Sequence, residues 1–331
     1  KIIVTGSESF VGKVLVPMLQ KQGHEVIGID PVAPSFTGGI KADIRDADLA
    51  DHFPAGADAV IHLAAISREP DCAANPVLAY DININGSANV IAAARKKDIR
   101  QVILASSEWV YGDVANDAVQ DEKTLIDPAN VQNEYAASKL CSEMALNVAV
   151  RRGLPAGTVL RFGIIYGPRL ANWSAAEALL NNVRTKDEVI VGSLATARRF
   201  IHVNDICGGI IAAIGRSGFE IFNLAGPEMV TLKQVIELSV SASGKSPKVG
   251  EKDAKAASSR NPVSDLAYSK LNWRPAISTI PCRWSTRAIW RRSCAAWWRT
   301  ATTARSTPPV PPRRTRPASS IRPRSRRSTP R

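Results

Sequence analysis

KIIVTGSESFVG, residues Lys1–Gly12, decides how the chain is read. Lys1–Thr5 is a β-branched apolar run of strand type, and Phe10–Gln22 carries apolar residues at helical spacing. Between them, Thr5-Gly6-Ser7-Glu8-Ser9-Phe10-Val11-Gly12 has the spacing of a dinucleotide-binding turn, with Ser9 where the middle glycine usually stands. Such a turn aims backbone N–H groups and a helix N-terminus at a pyrophosphate. Gly6 allows the tight turn and Gly12 lets the helix pack closely on the strand. Ser9 suits the middle position if its backbone avoids φ > 0.

The next strand, His24–Ile29, runs into Asp30, 24 residues after Gly6. A carboxylate there accepts both ribose hydroxyls of an adenosine and repels a 2′-phosphate. Pro31-Val32 brings no arginine to reverse that preference, so NAD is expected over NADP.

Strand-like runs recur at Asp58–Leu63, Gln101–Ala105 and Thr158–Phe162, separated by helical patterns at Pro76–Lys97 and Glu134–Arg152. Alternation of this kind with fully apolar strands predicts a parallel sheet covered on both faces, doubly wound in the Rossmann manner. The expected organisation is a nucleotide-binding domain over 1–167 and a smaller substrate-binding domain over 168–281. Segments from about 198 to 224 are expected to return to the first domain. Thr231-Leu-Lys-Gln234 has capping-box spacing and starts a helix.

The formal charge of +13 is unevenly spread. Fourteen of the 43 Lys and Arg lie beyond residue 281, leaving 29 basic against 30 acidic side chains before it. The body is electrostatically ordinary, and neither a nucleic-acid nor a membrane partner is expected. The Arg- and Pro-rich stretch 282–331 lacks acidic residues and cannot bury enough surface to fold. It reads as the product of a shifted reading frame, with a nucleic-acid-binding arm as the alternative. Five scattered cysteines form no CxxC pair, which excludes a zinc ribbon and fits a reducing, cytoplasmic setting. No metal site is expected.

Nine stretches, in order over about 280 residues, make a family resemblance specific: TGSESFVG, ADIRD (Ala42–Asp46), HLAA (His62–Ala65), NINGSANV (Asn83–Val90), SSEWVYG (Ser106–Gly112), YAASK (Tyr135–Lys139), RFGIIYGPR (Arg161–Arg169), RRFIHVND (Arg198–Asp205) and FNLAG (Phe222–Gly226). The chain resembles the extended short-chain dehydrogenase/reductases, in particular the NAD-dependent nucleotide-sugar epimerases and dehydratases. The resemblance implies NAD held by Gly6, Ser9, Phe10, Val11, Gly12 and Asp30. It places Asp43 and Ile44 beside the adenine, Leu63, Ala64 and Ala65 along the cofactor, and Asn83 in the helix that follows. It also implies a homodimer formed through helices Pro76–Lys97 and Glu134–Arg152. His62 reads as a packed strand residue.

Tyr135 and Lys139, at i and i+4, project from one helix face. A phenol is a poor base near neutrality, and a neighbouring ammonium and a positive nicotinamide ring would favour its ionised form. Lys139 can also hold the nicotinamide ribose. By analogy with the family, Ser107 takes the Ser/Thr position that hydrogen-bonds the reacting hydroxyl. The expected reaction is oxidation of a sugar hydroxyl, with Tyr135 taking the proton. A 4-epimerase follows by return of the hydride to the other face. A dehydratase would need a further acid and base after Ser107, where this chain has Glu108 and Trp109. Glu108 and Arg198 are the expected substrate contacts, with Ser107 and Tyr135; Arg198 would grip the diphosphate. Ile164 stands where nucleotide-sugar enzymes often place an asparagine. A dehydratase or decarboxylase, a sugar dehydrogenase and an idle NAD-binding regulator remain as alternatives.

Overall fold

In the computed structural model, residues 1–112, 118–169, 174–252 and 263–276 are described. Stretch 282–331, with its two readings, lies outside them. Six strands follow in chain order: β1 (Ile2–Thr5), β2 (Val26–Asp30), β3 (Gly39–Lys41), β4 (Ala59–His62), β5 (Val102–Ser107) and β6 (Ala156–Phe162). Together with Gly218–Leu224 they form one seven-stranded sheet, in the order Gly218–Leu224, β6, β5, β4, β1, β2, β3. Every pairing within it is parallel. This is the Rossmann-type, doubly wound α/β fold that the alternating pattern predicts. The strand order reverses between β1 and β4, and ligands of such sheets bind in the crevice at that point.

Both faces of the sheet are sealed, as fully apolar strands require. Helix α1 (Gly12–Lys21) packs Leu15 and Leu19 against Ile2 and Val4 on one side. Ile206 and Ile210 of the helix Val203–Ala212 join the same core. On the other face Ile3, Val60, Val102 and Val159 meet Val90 and Ala94 of the helix Gly86–Lys96 and Leu146 of the helix Glu134–Arg151. A separate, smaller core gathers Leu179, Val183, Val189, Phe200, Val235 and Ile236. Its helix Leu232–Ser243 starts at the expected capping box, with Thr231 and Gln234 each bonding the other's backbone N–H.

The stretch expected as a single helix over Pro76–Lys97 is interrupted. It comprises a helix at Pro76–Tyr80, a π-helical turn at Asp81–Asn85 and the helix Gly86–Lys96. The turn leaves the Asn83 carbonyl to accept hydroxyls from Ser87 at 2.5 Å and Ser142 at 2.9 Å. A turn of this type has no composition signature of its own, so the sequence pattern does not announce it.

His62, at the end of β4, is a buried structural residue. Its Nδ1 bonds Thr5 Oγ1 on β1 at 2.7 Å, and its Nε2 bonds Ser87 Oγ at 2.9 Å. Burial, followed by the charge of Lys139, pulls its pKa down to about 3. The unfolded chain, with an ordinary histidine pKa near 6.5, therefore binds a proton that the folded chain refuses. The stability contributed by the neutral ring is present above pH 6.5 and is lost as the pH falls toward 3. Between pH 7 and pH 5 this removes about 2 kcal/mol. Urea unfolding of His62→Asn at the two pH values should show a pH-dependent loss smaller by about that amount.

Candidate active site

At the carboxyl ends of β1 and β4 the chain closes on itself. Gly6 has φ of 74°, a left-handed conformation suited to glycine, and a Cβ there would lie 2.7 Å from the Ala64 nitrogen. A Cβ on Gly12 would lie 2.3 Å from the Gly6 carbonyl oxygen. Ser9 has no positive φ, so no glycine conformation is required there. Its Oγ accepts the Gly12 N–H at 3.0 Å and satisfies one donor at the start of α1. Asp30 is 7% exposed and its two carboxylate oxygens accept the N–H groups of Glu8 (3.0 Å) and Val32 (2.9 Å). These bonds orient the carboxylate and leave each oxygen further acceptor capacity. The turn, the helix start and the strand-end carboxylate thus fit a dinucleotide.

A cleft of about 330 Å³ runs from this turn toward the helix Glu134–Arg151. Of the residues singled out in the sequence, Ser9, Phe10, Val11, Leu63, Ala65, Ser107, Tyr135 and Lys139 line it. Gly6, Gly12 and Ala64 lie beneath that lining as close-packed backbone. Ile44 is buried in the core against Gly86. Asp43 holds Arg45 through two hydrogen bonds, at 3.0 and 2.7 Å, and this pairing draws its carboxyl below the usual range. Asn83 is 1% exposed, and its amide is spent on the Ile66 backbone (2.8 and 2.9 Å) and Ser138 (3.0 Å). It thereby ties the segment after β4 to the helix bearing Tyr135.

Ser107 ends β5 and its Oγ accepts the Trp109 N–H at 3.2 Å. That backbone turn puts Trp109 into the cleft lining and Glu108 outside it, at 1% exposure. Arg198 also lies outside the lining, on a short strand paired with Val230–Thr231. Among the described residues, the arginines that line the cleft are Arg68 and Arg169. Arg169 stacks 4.2 Å from the centre of the Phe10 ring and is gripped by Glu177 at 3.0 and 3.1 Å. Its position at the end of the quoted RFGIIYGPR stretch was the available signal.

Lys139 is 3% exposed, with Nζ 5.8 Å from the centre of the Tyr135 ring. Burial lowers its pKa to about 8, opposed by the neighbouring Cys72 and Glu143. The phenol of Tyr135 is pushed up, chiefly by burial and then by Cys72, and a hydrogen bond with Ser107 lowers it in part. Burial costs the phenolate more than its neighbours return. Ser107, Tyr135 and Lys139 converge in one place, so the site can exchange a proton with a hydroxyl group placed beside Tyr135.

A doubly wound sheet with a glycine-turn cradle and a Ser/Tyr/Lys cleft at its switch point defines a nucleotide-dependent enzyme class. The NAD dependent epimerase/dehydratase family matches residues 2–225, and the chain belongs to that family. The uncharacterized UDP-glucose epimerase YtcB of Bacillus subtilis (strain 168) is 29% identical over 304 residues, 84% of this chain and 94% of that protein. A dTDP-glucose 4,6-dehydratase of Streptomyces antibioticus is 26% identical over 338 residues, 94% of this chain and 98% of that protein. The structure of the Thermus thermophilus UDP-glucose 4-epimerase in complex with NAD superposes with a TM-score of 0.75. It is 24% identical, with 90% of this chain and 98% of that one covered.

Because Ser9 is unstrained, Ser9→Gly relieves nothing and removes the bond to Gly12. Calorimetric titration with NAD should show an affinity within about twofold of the wild type. Thermal unfolding should show a loss of about 0.5 kcal/mol. A tenfold gain in affinity would show instead that the serine side chain obstructs the pyrophosphate.

Proposed function

We propose that this chain is an NAD-dependent epimerase of a nucleotide sugar, inverting carbon 4 through a transient 4-keto sugar. The observation that carries this reading is the turn after Ser107. It offers the cleft Trp109, which has no acid–base function, and buries Glu108 outside the lining. Loss of water from carbons 5 and 6 would need a second acid and base there, and neither faces the cleft among the described residues. An epimerase needs only one proton-exchanging centre, and Ser107 and Tyr135 supply it.

In this reading Gly6, Ser9, Phe10, Val11 and Gly12 receive the pyrophosphate of NAD, and Asp30 takes the adenosine ribose hydroxyls. Asp43 and Ile44 flank the adenine; Leu63, Ala64 and Ala65 run along the cofactor, and Asn83 holds that segment in place. NAD, when bound, would supply the acceptor and donor of the hydride at carbon 4. Tyr135 takes the proton of the sugar's 4-hydroxyl and later gives it back. Ser107 donates to the same oxygen, and Lys139 steadies the ionised phenol. Ser107 and Tyr135 are assigned to the substrate; Glu108 and Arg198, expected there on family likeness, lie outside the cleft lining. Arg68 and Arg169, which line the cleft, are the further candidates for its diphosphate.

A homodimer belongs to the same reading. Val77, Leu78 and Tyr80 on one helix and Met144 and Val148 on its neighbour Glu134–Arg151 are exposed apolar side chains. A second copy covering both helices would remove this surface from water. No helix among the described residues is long and apolar enough to cross a membrane, and we place the enzyme in the cytoplasm.

The test is a panel of UDP-, dTDP- and GDP-sugars with added NAD. Epimer formation with only transient absorbance at the NADH band supports the proposal. Lasting NADH would assign a dehydrogenase, and a 4-keto-6-deoxy product a dehydratase. Tyr135→Phe should lower kcat roughly 1,000-fold and leave NAD binding intact. In sedimentation velocity, Met144→Glu should convert a dimer to monomer; a monomeric wild type would remove the dimer from the proposal.

A further inference from the structure

Three residues spaced four apart, Tyr135, Lys139 and Glu143, share one face of the helix Glu134–Arg151. The first two line the cleft and Glu143 does not. Its carboxylate reaches the sheet: Oε1 accepts Ser106 Oγ at 2.5 Å and Arg161 Nε at 3.0 Å, and Oε2 accepts Arg161 Nη2 at 2.6 Å. Ser106 precedes Ser107 on β5, and Arg161 lies on the adjacent β6. The side chains of the ion pair are 4% and 5% exposed, and Arg161 also lies 4.7 Å from the centre of the Tyr111 ring.

Taking two charges out of water costs about as much as their attraction returns, so a buried pair is weak evidence of stabilisation. The position of this pair suggests a different role. We infer that Glu143 is a positioning residue: it pins the Tyr135–Lys139 helix against the strand that ends in Ser107 and supplies the counter-charge beneath Lys139. The inference rests on the reading of Ser107, Tyr135 and Lys139 as the reacting group.

The geometric half follows from the bonds. One carboxylate joins the helix to two neighbouring strands, and one of its anchors is the residue next to Ser107. Sliding the helix by a fraction of a turn would break these bonds and separate Tyr135 from Ser107. The electrostatic half follows from what faces Lys139. Cys72 faces it from the helix Glu69–Ala74, neutral His62 from β4, and Tyr135 and Glu143 from its own helix. Arg161 stands behind Glu143, with Tyr111 beside it, and Glu134 acts on Cys72. Burial drives Lys139 toward the neutral amine, and Glu143 opposes it.

The test separates reach from charge. Glu143→Gln keeps the length and discards the charge; Glu143→Asp keeps the charge and shortens the arm. Protein carrying lysine labelled with carbon-13 at Cε is titrated by NMR without added cofactor, with Lys139→Met to assign the resonance. The Lys139 midpoint is expected near 8 in the wild type and in Glu143→Asp. In Glu143→Gln it should lie about 1 pH unit lower. In the sugar assay, Glu143→Asp should lose roughly tenfold in kcat at every pH, the scale of a misplaced reacting group. Glu143→Gln should instead move the alkaline limb downward. An unmoved Lys139 midpoint in folded Glu143→Gln overturns the inference, as does full activity in Glu143→Asp. If Glu143→Gln does not fold, Arg161→Gln decides: removing the opposing cation should raise the midpoint, and an unchanged value overturns the inference. Failure of the wild type to convert any nucleotide sugar would count against the proposed reaction. The titration would still decide the counter-charge role.

Discussion

Between β1 and α1 the backbone turns so tightly that a methyl group on Gly12 would sit 2.3 Å from the Gly6 carbonyl oxygen. Much else depends on this contact. It places the start of α1 directly over the end of β1, at the point where the strand order reverses. It directs the Ser9–Val11 backbone into the cleft and brings Phe10 under the Arg169 guanidinium. It also leaves room for β4 to run past Gly6 and deliver Leu63 and Ala65 to the same cleft. A sheet that twists needs one place where two crossovers part, and here the smallest side chains occupy it.

The second constraint is the row along the helix Glu134–Arg151. It joins a half-buried phenol to a buried ammonium and a buried carboxylate. Burial, with Cys72, pushes the Tyr135 phenol up, and burial brings Lys139 down to about 8 against Cys72 and Glu143. The chain's own residues thus hold the proton donor in its protonated form. Ionising the phenol calls for extra positive charge close by, which the oxidised nicotinamide of NAD supplies when bound.

Much of this was legible in the sequence because local rules and tertiary structure agree. The strand–turn–helix of residues 1–12, Asp30 at a strand end and the Tyr135–Lys139 spacing each have one geometric meaning, and the sheet realises it. The question about Ser9 could be posed from sequence but required backbone angles to answer. Other features depend on contacts between residues far apart. The partnership of Glu143 with Ser106 and Arg161 joins residues separated by 37 and 18 positions, with no periodic signal. The π-helical turn around Asn83 hides within an uninterrupted helical pattern. The exclusion of Glu108 from the cleft depends on a single backbone turn, pinned by the Ser107 hydroxyl to the Trp109 N–H.

These differences bear unequally on cofactor and substrate. The cofactor half is made of backbone and small residues, where the choice of side chain is tightly constrained. In the proposed function the substrate half is lined by Trp109, Ile164, Ile165, Arg68 and Arg169, and its walls are largely apolar. Isoleucine at position 164 offers neither donor nor acceptor, so that wall can select a sugar by shape only. Trp109, 40% exposed, presents a flat aromatic surface suited to the C–H face of a pyranose ring. Polar selection then falls to the arginines. Arg169 is gripped by Glu177, and exposed Arg68 lies 3.5 Å from Asp71. In the proposed reaction the aromatic and aliphatic walls would judge ring shape and the arginines negative charge, through elements that vary independently of the Tyr135–Lys139 pair.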